Sequence, residues 1–429
     1  MTAPLRVGVA GLGTVGGGVV RLIHESGDLL AERGGRKIVV TAVSARDKAK
    51  ARALPIGDAQ WFDDAAAMAR SDAIDAVCEV IGGDGIALRV IEGAIEAGKA
   101  VVTANKSLLA AQGRELALKA EKRGVALAFE AAVAGGIPII KTMREGLGAN
   151  RVSSVVGILN GTCNYILTEM ESEGSPFADV LKDAQRLGYA EADPTFDVGG
   201  FDTAHKLCLL TSLAFGSAPD LDGIYVEGID RVSPLDIAFA HEFGYRIKLL
   251  GIARLINGGV EQRVHPAMVP RDTPLADVNG VYNAIVTESD YAGKTVIEGR
   301  GAGERPTAAA VVSDLLDIAR GKVMPAFVTP ASKLASLPRA PLSERAGPFY
   351  LRFTVLDKPG VMAVISRCLA QYGISIESMI QRGRDPGEPV PIVMLTHDAR
   401  EGDMAAALDL IAAEGAVTER PCRIRMERF

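Results

Sequence analysis

Four carboxylates and one ammonium crowd one short span of this 429-residue chain: Glu191, Asp193, Asp197, Asp202 and Lys206 all lie between Gly188 and Leu207. The last part of that span, DTAHKLCLLTSLAF, has a helical pattern, so Asp202 and Lys206, four apart, share one helix face. Such a pair is either a solvated surface contact, contributing about 0.2–0.5 kcal/mol, or a carboxylate that orients an ammonium for proton transfer. A second chemical signal stands near the N-terminus. The β-type run LRVGVA leads at once into GLGTVG and then into a helical pattern. Strand, G-x-G-x-x-G, helix is the setting of a dinucleotide-binding turn. Gly11 permits the tight turn, Gly13 lets the backbone approach a pyrophosphate, and Gly16 allows close helix–strand packing. Thr14 and Val15, between the second and third glycines, count with them as cofactor contacts.

These groups need a scaffold, and the chain patterns supply one. A second strand over 37–43 runs into Ser44, Ala45, Arg46 and Asp47. Arg46 and Ser44 suit the 2′-phosphate of NADP(H), while Asp47 keeps NAD(H) open through the ribose 2′-hydroxyl. Strands over 74–80, 100–103 and 125–129 alternate with helices. This predicts a doubly wound parallel sheet of Rossmann type, an α/β fold whose ligands bind beyond the carboxyl ends of the strands. Thr103, Lys106 and Glu130 fall at that edge.

From about Ile137 the pattern mixes helices, strands and polar loops, as in an α+β substrate and dimerisation domain. The glycine-rich turn 299–307 opens an alanine-rich helix, and its backbone donors suit a return to the cofactor. The stretch LPRAPLSERAGP, 337–348, reads as a linker. Beyond it the order β-α-β-β-α-β is that of a ferredoxin-like plait, without a cluster of catalytic side chains. The expected divisions are 1–136 for the cofactor domain, completed by part of 299–325; 137–336 for the substrate domain; 337–348 for the linker; and 349–429 for the plait.

The totals narrow the partners. A net charge of −6 with no long basic run argues against nucleic acid or an anionic membrane surface. No apolar segment is long enough to span a bilayer, and the N-terminus runs straight into a strand, so a cytoplasmic location is expected. Cys78, Cys163, Cys208, Cys368 and Cys422 are scattered with no C-x-x-C, which fits free thiols and neither a disulfide framework nor a zinc site.

Six motifs, in order, carry a family resemblance across essentially the whole chain: GLGTVGGGVV (11–20), TANKSLLA (103–110), FEAAVAGGIPII (129–140), GILNGTCNYIL (157–167), LGYAEADPTFDVGGFDTAHKL (187–207) and GRGAGERPTAAAVVSDL (299–315). With them the chain resembles the homoserine dehydrogenases, and the tail LDKPGVMAVISRCLAQYGISIESM resembles an ACT domain, an amino-acid-sensing module. The resemblance implies NAD(P)(H)-dependent interconversion of L-homoserine and L-aspartate 4-semialdehyde, in threonine, methionine and isoleucine biosynthesis. It implies that Lys206 transfers the proton and that Asp202 contacts substrate and orients that lysine. Glu191 then binds substrate, Gly188 and Gly303 contact the cofactor, and Lys106 stands at the cofactor–substrate junction. A monovalent cation loop, usually filled by sodium, is implied at Glu130, Val133, Gly135 and Ile137, mostly through backbone carbonyls. A homodimer or homotetramer is expected, with L-threonine as an inhibitor near the turn Asp357-Lys358-Pro359-Gly360.

For that reaction the nicotinamide moves the hydride and the protein moves one proton. The zwitterionic substrate needs a carboxylate for its ammonium, offered by Asp197, Asp193 or Glu191, and donors for its carboxylate, offered around Asn160-Gly161-Thr162. Two rival readings remain. A phosphorylating semialdehyde dehydrogenase would need Cys163 as nucleophile, where a small buried side chain is the alternative. A non-catalytic amino-acid sensor would need only the tail and a vestigial cofactor fold.

Overall fold

A computed structural model of the protein describes residues 2–48, 53–382 and 388–429. Most of the connection between the second and third strands of the plait lies outside the described residues. Six parallel strands build the first sheet: β1 (Leu5–Ala10), β2 (Ile38–Ser44), β3 (Gln60–Trp61), β4 (Ala76–Glu79), β5 (Ala100–Thr103) and β6 (Leu127–Ala128). Their order, β3-β2-β1-β4-β5-β6, reverses direction between β1 and β4, which is the switch point where doubly wound folds bind ligands. Helices cover both faces. Val7, Val9, Val19 and Val20 pack under Ala308, Val311 and Leu315 of the distant helix Glu304–Ala319. Gly18, on the helix Thr14–Glu25, makes this approach possible: a Cβ there would lie 2.8 Å from Glu304 Cγ and 3.1 Å from Ala308 Cβ. Arg21 and Glu304 close the contact with a 2.7 Å ion pair.

The middle of the chain forms β7 (Val152–Ile158), β8 (Tyr225–Val226), β9 (Tyr245–Ile256), β10 (Gly259–Pro270), β11 (Tyr282–Ser289) and β12 (Gly293–Arg300). They run in the order β12-β11-β7-β9-β10, antiparallel, with β8 beside β10. The helix Phe201–Phe215 packs across β7, β9 and β10. Its Leu207, Leu209, Leu210 and Leu213 are buried, so its first turn is held at a fixed height against the cofactor domain.

A short pair, β13 (Ala346–Gly347) with β17 (Ala399–Arg400), introduces the C-terminal plait. Its sheet consists of β14 (Phe349–Leu356), β15 (Ile376–Gln381), β16 (Pro389–Thr396) and β18 (Cys422–Met426), backed by the helices Val361–Gln371 and Glu401–Ala413. The plait is not a separate appendage. β18 pairs with β10 at Ala267↔Arg425 and Met268↔Met426, so the middle and C-terminal strands share one ten-stranded sheet. The stretch 337–348, expected as a linker, is an ordered strap. Val260 N–H donates to Pro338 O at 2.8 Å, Ala340 N–H donates to Val260 O at 2.9 Å, and Arg339 pairs with Asp220 at 2.7 Å. Its prolines disfavour an α-helix, and a single 3₁₀ turn forms over Leu342–Glu344, but only the fold supplies the free edge of β10 that this backbone uses. Among the described residues no helix is long and apolar enough to cross a membrane, and all five cysteines are free thiols.

Candidate active site

Asp202 lies in the first turn of the helix Phe201–Phe215, which Gly200 enters with a φ of 86° that favours glycine. It is only 5% exposed. Lys206, one turn on, donates from Nζ to Asp202 Oδ2 at 2.7 Å and to the Leu159 carbonyl at 2.7 Å. Lys106 comes from the cofactor domain, and its Nζ stands 3.2 Å from Asp202 Oδ1. That lysine opens the helix Lys106–Arg123 beyond β5. Asn105 caps this helix, accepting the Leu108 N–H at 3.1 Å, and its amide donates to Gly83 O at 2.6 Å. One carboxylate thus carries two ammonium groups from two domains. Burial opposes its charge, yet Lys206 and Lys106 together hold Asp202 well below the usual carboxylate range.

Asn160 knits this cluster to a third element. As N-cap of the helix Gly161–Glu173 its Oδ1 accepts the Cys163 N–H at 2.8 Å, while its Nδ2 donates to Asp202 Oδ2 and to Asp197 Oδ1, both at 2.8 Å. Burial and the nearby Asp202 push Asp197 above the ordinary aspartate range. Other expected contacts are exposed or already committed. The Thr162 hydroxyl is committed to the Tyr189 carbonyl at 2.7 Å, which leaves its backbone for a ligand. Glu191 is exposed, its carbonyl accepts from Gln185 at 3.0 Å, and its carboxylate takes no ion pair among the described residues. Gly188 turns the same exposed loop at φ 77°. Asp193 accepts the Thr195 N–H at 3.1 Å and shapes the loop. Cys163 is fully buried against Asp197 O, and burial pushes its thiol far above the ordinary value, so it is no nucleophile.

At the cofactor turn, Gly11 has φ 100°, and a Cβ on it would meet Val80 O at 2.7 Å. A Cβ on Gly16 would run into the Gly11 carbonyl. Gly13, the N-cap of the helix Thr14–Glu25, faces open space, the opening a pyrophosphate needs beside the Thr14 and Val15 amides. Arg46 and Asp47 stand exposed beyond β2. Gly303, at φ 116°, caps the helix Glu304–Ala319 and reaches this region because that helix packs on Thr14–Glu25. Thr103 does not offer its hydroxyl to a ligand. It donates to Glu79 Oε2 at 2.6 Å, and Glu79 also accepts the Ile81 N–H at 2.8 Å, ordering the turn after β4. Glu79 and the capping role of Asn160 were not among the sequence expectations; a carboxylate ending an otherwise apolar strand, and an Asn before a helical run, are the signals that could have found them.

The segment around Glu130 packs beneath the glycine-rich turn. Its carboxylate accepts the Ile140 and Lys141 N–H groups, each at 2.9 Å, and burial together with Asp314 pushes it up to about 7. Ala134 and Gly135 follow at φ 54° and 46°, and the Gly136 N–H donates to Arg300 O at 3.0 Å. Among the described residues no group of three or more His, Cys, Asp or Glu side chains is placed to hold a metal ion.

A doubly wound sheet with an open glycine turn, and ammonium groups gathered at its ligand edge, is the framework of an NAD(P)-dependent oxidoreductase. Similarity to known proteins narrows the class. Residues 11–130 match the family model for the NAD-binding domain of homoserine dehydrogenase, 138–316 match homoserine dehydrogenase, and 349–416 match the ACT domain. Homoserine dehydrogenases of Neisseria gonorrhoeae and Pseudomonas aeruginosa are each 45% identical over 99% of this chain and 99% of their own length. A homoserine dehydrogenase structure from Thiobacillus denitrificans covers 99% of this chain and 98% of its own at 44% identity and a TM-score of 0.94. A hyperthermophilic archaeal homoserine dehydrogenase in complex with NADPH covers 73% of this chain and 97% of its own, at 26% identity and a TM-score of 0.63. The chain belongs to the homoserine dehydrogenase family, with a C-terminal ACT domain.

Proposed function

We propose that the chain catalyses the NAD(P)(H)-dependent interconversion of L-homoserine and L-aspartate 4-semialdehyde. The observation that carries this reading is the seating of Lys206 and Lys106 on the two oxygens of Asp202, at the ligand edge of the cofactor fold. A bound nicotinamide supplies or accepts the hydride. In reduction the Lys206 ammonium gives a proton to the aldehyde oxygen as it becomes an alkoxide; in oxidation the neutral amine takes the hydroxyl proton back. Asp202 orients Lys206 and contacts the substrate. Asp197 and Glu191 are the carboxylates for the substrate ammonium, and the first-turn amides near Thr162 face its carboxylate. Lys206→Ala should bind NADPH normally, followed by fluorescence, yet lose about 10²–10⁴ in kcat. A kcat near wild type would refute the assignment.

Arg46 and Ser44 favour NADP(H), and the archaeal relative in complex with NADPH points the same way. Gly11, Gly13, Thr14, Val15, Gly16, Gly188 and Gly303 form the cofactor contacts in this reading, with the Thr103 backbone and Lys106 beside the nicotinamide. A sodium ion would take backbone carbonyls of Glu130, Val133, Gly135 and Ile137. The residues fit that use: the Glu130 carboxylate is occupied by amides, and two consecutive left-handed residues curl the backbone. The ACT domain is read as the threonine-sensing unit, and the enzyme as a cytoplasmic homodimer or homotetramer. Initial rates with each cofactor, with and without threonine and sodium, test these assignments together.

A further inference from the structure

We propose that Phe196 is a positioning residue for Lys106, and that His205 holds Phe196 in that place. Phe196 sits on the short helical turn Thr195–Val198 and is 43% exposed. Its ring face carries the Lys106 ammonium, 6.0 Å from the centroid. Its ring also meets the His205 imidazole at 5.4 Å and 64°, the edge-to-face arrangement aromatic quadrupoles prefer. His205 lies on the same helix as Asp202 and Lys206, so the contact runs from the substrate-side helix, through Phe196, to the first residue of a cofactor-domain helix.

The chemistry explains why a ring suits this position. Among the described residues Asp202 is the sole ion-pair partner of Lys106, at 3.2 Å, looser than the 2.7 Å that holds Lys206 to the same carboxylate. A hydrogen-bonding restraint would consume an ammonium N–H that the junction of cofactor and substrate needs. A ring face attracts the cation without consuming one. His205 can stand nearby because burial and Lys106 both disfavour its charged form, against the smaller opposing effects of Asp202 and Asp84. A neutral imidazole does not repel the ammonium it helps to place. Its Nδ1 is buried and makes no hydrogen bond, so the ring is held there by packing.

The proposal rests on Lys106 being a site residue, and the test separates the two. Phe196→Leu keeps apolar bulk and removes the ring face, while Phe196→Tyr keeps it. Because Phe196 is exposed, both proteins should fold, with melting temperature as the check. Phe196→Leu should lower kcat roughly three- to thirtyfold with the KM for homoserine within about twofold, and Phe196→Tyr should recover most of the loss. His205→Ala should lower kcat in the same direction, and His205→Phe should recover it. In a double-mutant cycle, Phe196→Leu should cost nothing further once Lys106→Met has removed the ammonium. Equal rates for the Leu and Tyr variants, or additive losses in the cycle, overturn the proposal alone. A Lys106→Met enzyme with wild-type kcat overturns the reading of Lys106 and this proposal with it.

Discussion

Lys106 and Asp202 meet at 3.2 Å across the crevice, an ion pair that ties the cofactor domain to the helix bearing Lys206. Asp202 serves both lysines and also accepts from Asn160, so its substitution removes three contacts at once. Asp202→Asn keeps the shape but takes from both ammonium groups the carboxylate they share. We expect kcat/KM for homoserine to fall about 10²–10³-fold, with cofactor affinity changed far less. Steady-state rates and a cofactor titration on the same protein check this.

We expect Asp197 to make homoserine binding acid-sensitive. Burial and Asp202 raise its pKa, so as pH falls it takes up a proton before an ordinary aspartate would. Asp202, held in the opposite direction, stays ionised over that interval. The KM for homoserine should therefore rise on mild acidification, at a pH above the normal aspartate range. In Asp197→Asn it should be high throughout and nearly flat with pH. A wild-type acid limb persisting in that variant would show that another group titrates.

The cofactor turn separates folding from binding within four residues. Gly13 faces open space, so Gly13→Ala should leave the melting temperature almost unchanged while weakening NADPH binding by an order of magnitude or more. Gly16→Ala drives a methyl into the Gly11 carbonyl and should destabilise the fold itself. Thermal melts beside NADPH fluorescence titrations distinguish the two effects.

Glu427 locks the C-terminal plait to β10. Arg263, Arg345 and Arg254 contact it at 2.8, 3.0 and 3.2 Å, and although burial opposes its charge, they bring its pKa down to about 2 from 4.5. Between those values the unfolded chain binds the proton and the native protein does not, so this stability is present above pH ~4.5 and is lost as pH falls towards 2. Glu427→Gln should cost about 3–5 kcal/mol at neutral pH, because it removes the carboxylate that buried Arg263 and Arg345 share. The difference from wild type should shrink steadily in acid. Denaturant unfolding across a pH series measures it.

Much of the cofactor half could be read directly from the chain. A glycine turn is a local steric demand, and Gly11 and Gly16 meet it where the motif says. The Asp202–Lys206 pair was equally legible, since four residues of helix bring any such pair together. Asn160 illustrates what was hidden. Its capping role follows from its place before a helix, but its second donation, to Asp197 and Asp202, joins groups about 40 residues away. The Thr103 hydroxyl turned inward to Glu79, a pairing across neighbouring strands that no local pattern announces.

The sequence by itself determined the strand–turn–helix that receives a dinucleotide, the alternation that builds a parallel sheet, and the carboxylate–ammonium pair on one helix face. These depend on backbone sterics and side-chain periodicity over a few residues. Only the tertiary structure decided that Lys106 shares Asp202 with Lys206, that Glu191 and Gly188 stand in an exposed loop, and that the C-terminal plait continues the middle sheet through β10 and β18. Each of those is a choice of partner between distant segments. It is settled by which buried charges and strand edges find complements when the whole chain packs, and no local pattern carries that information.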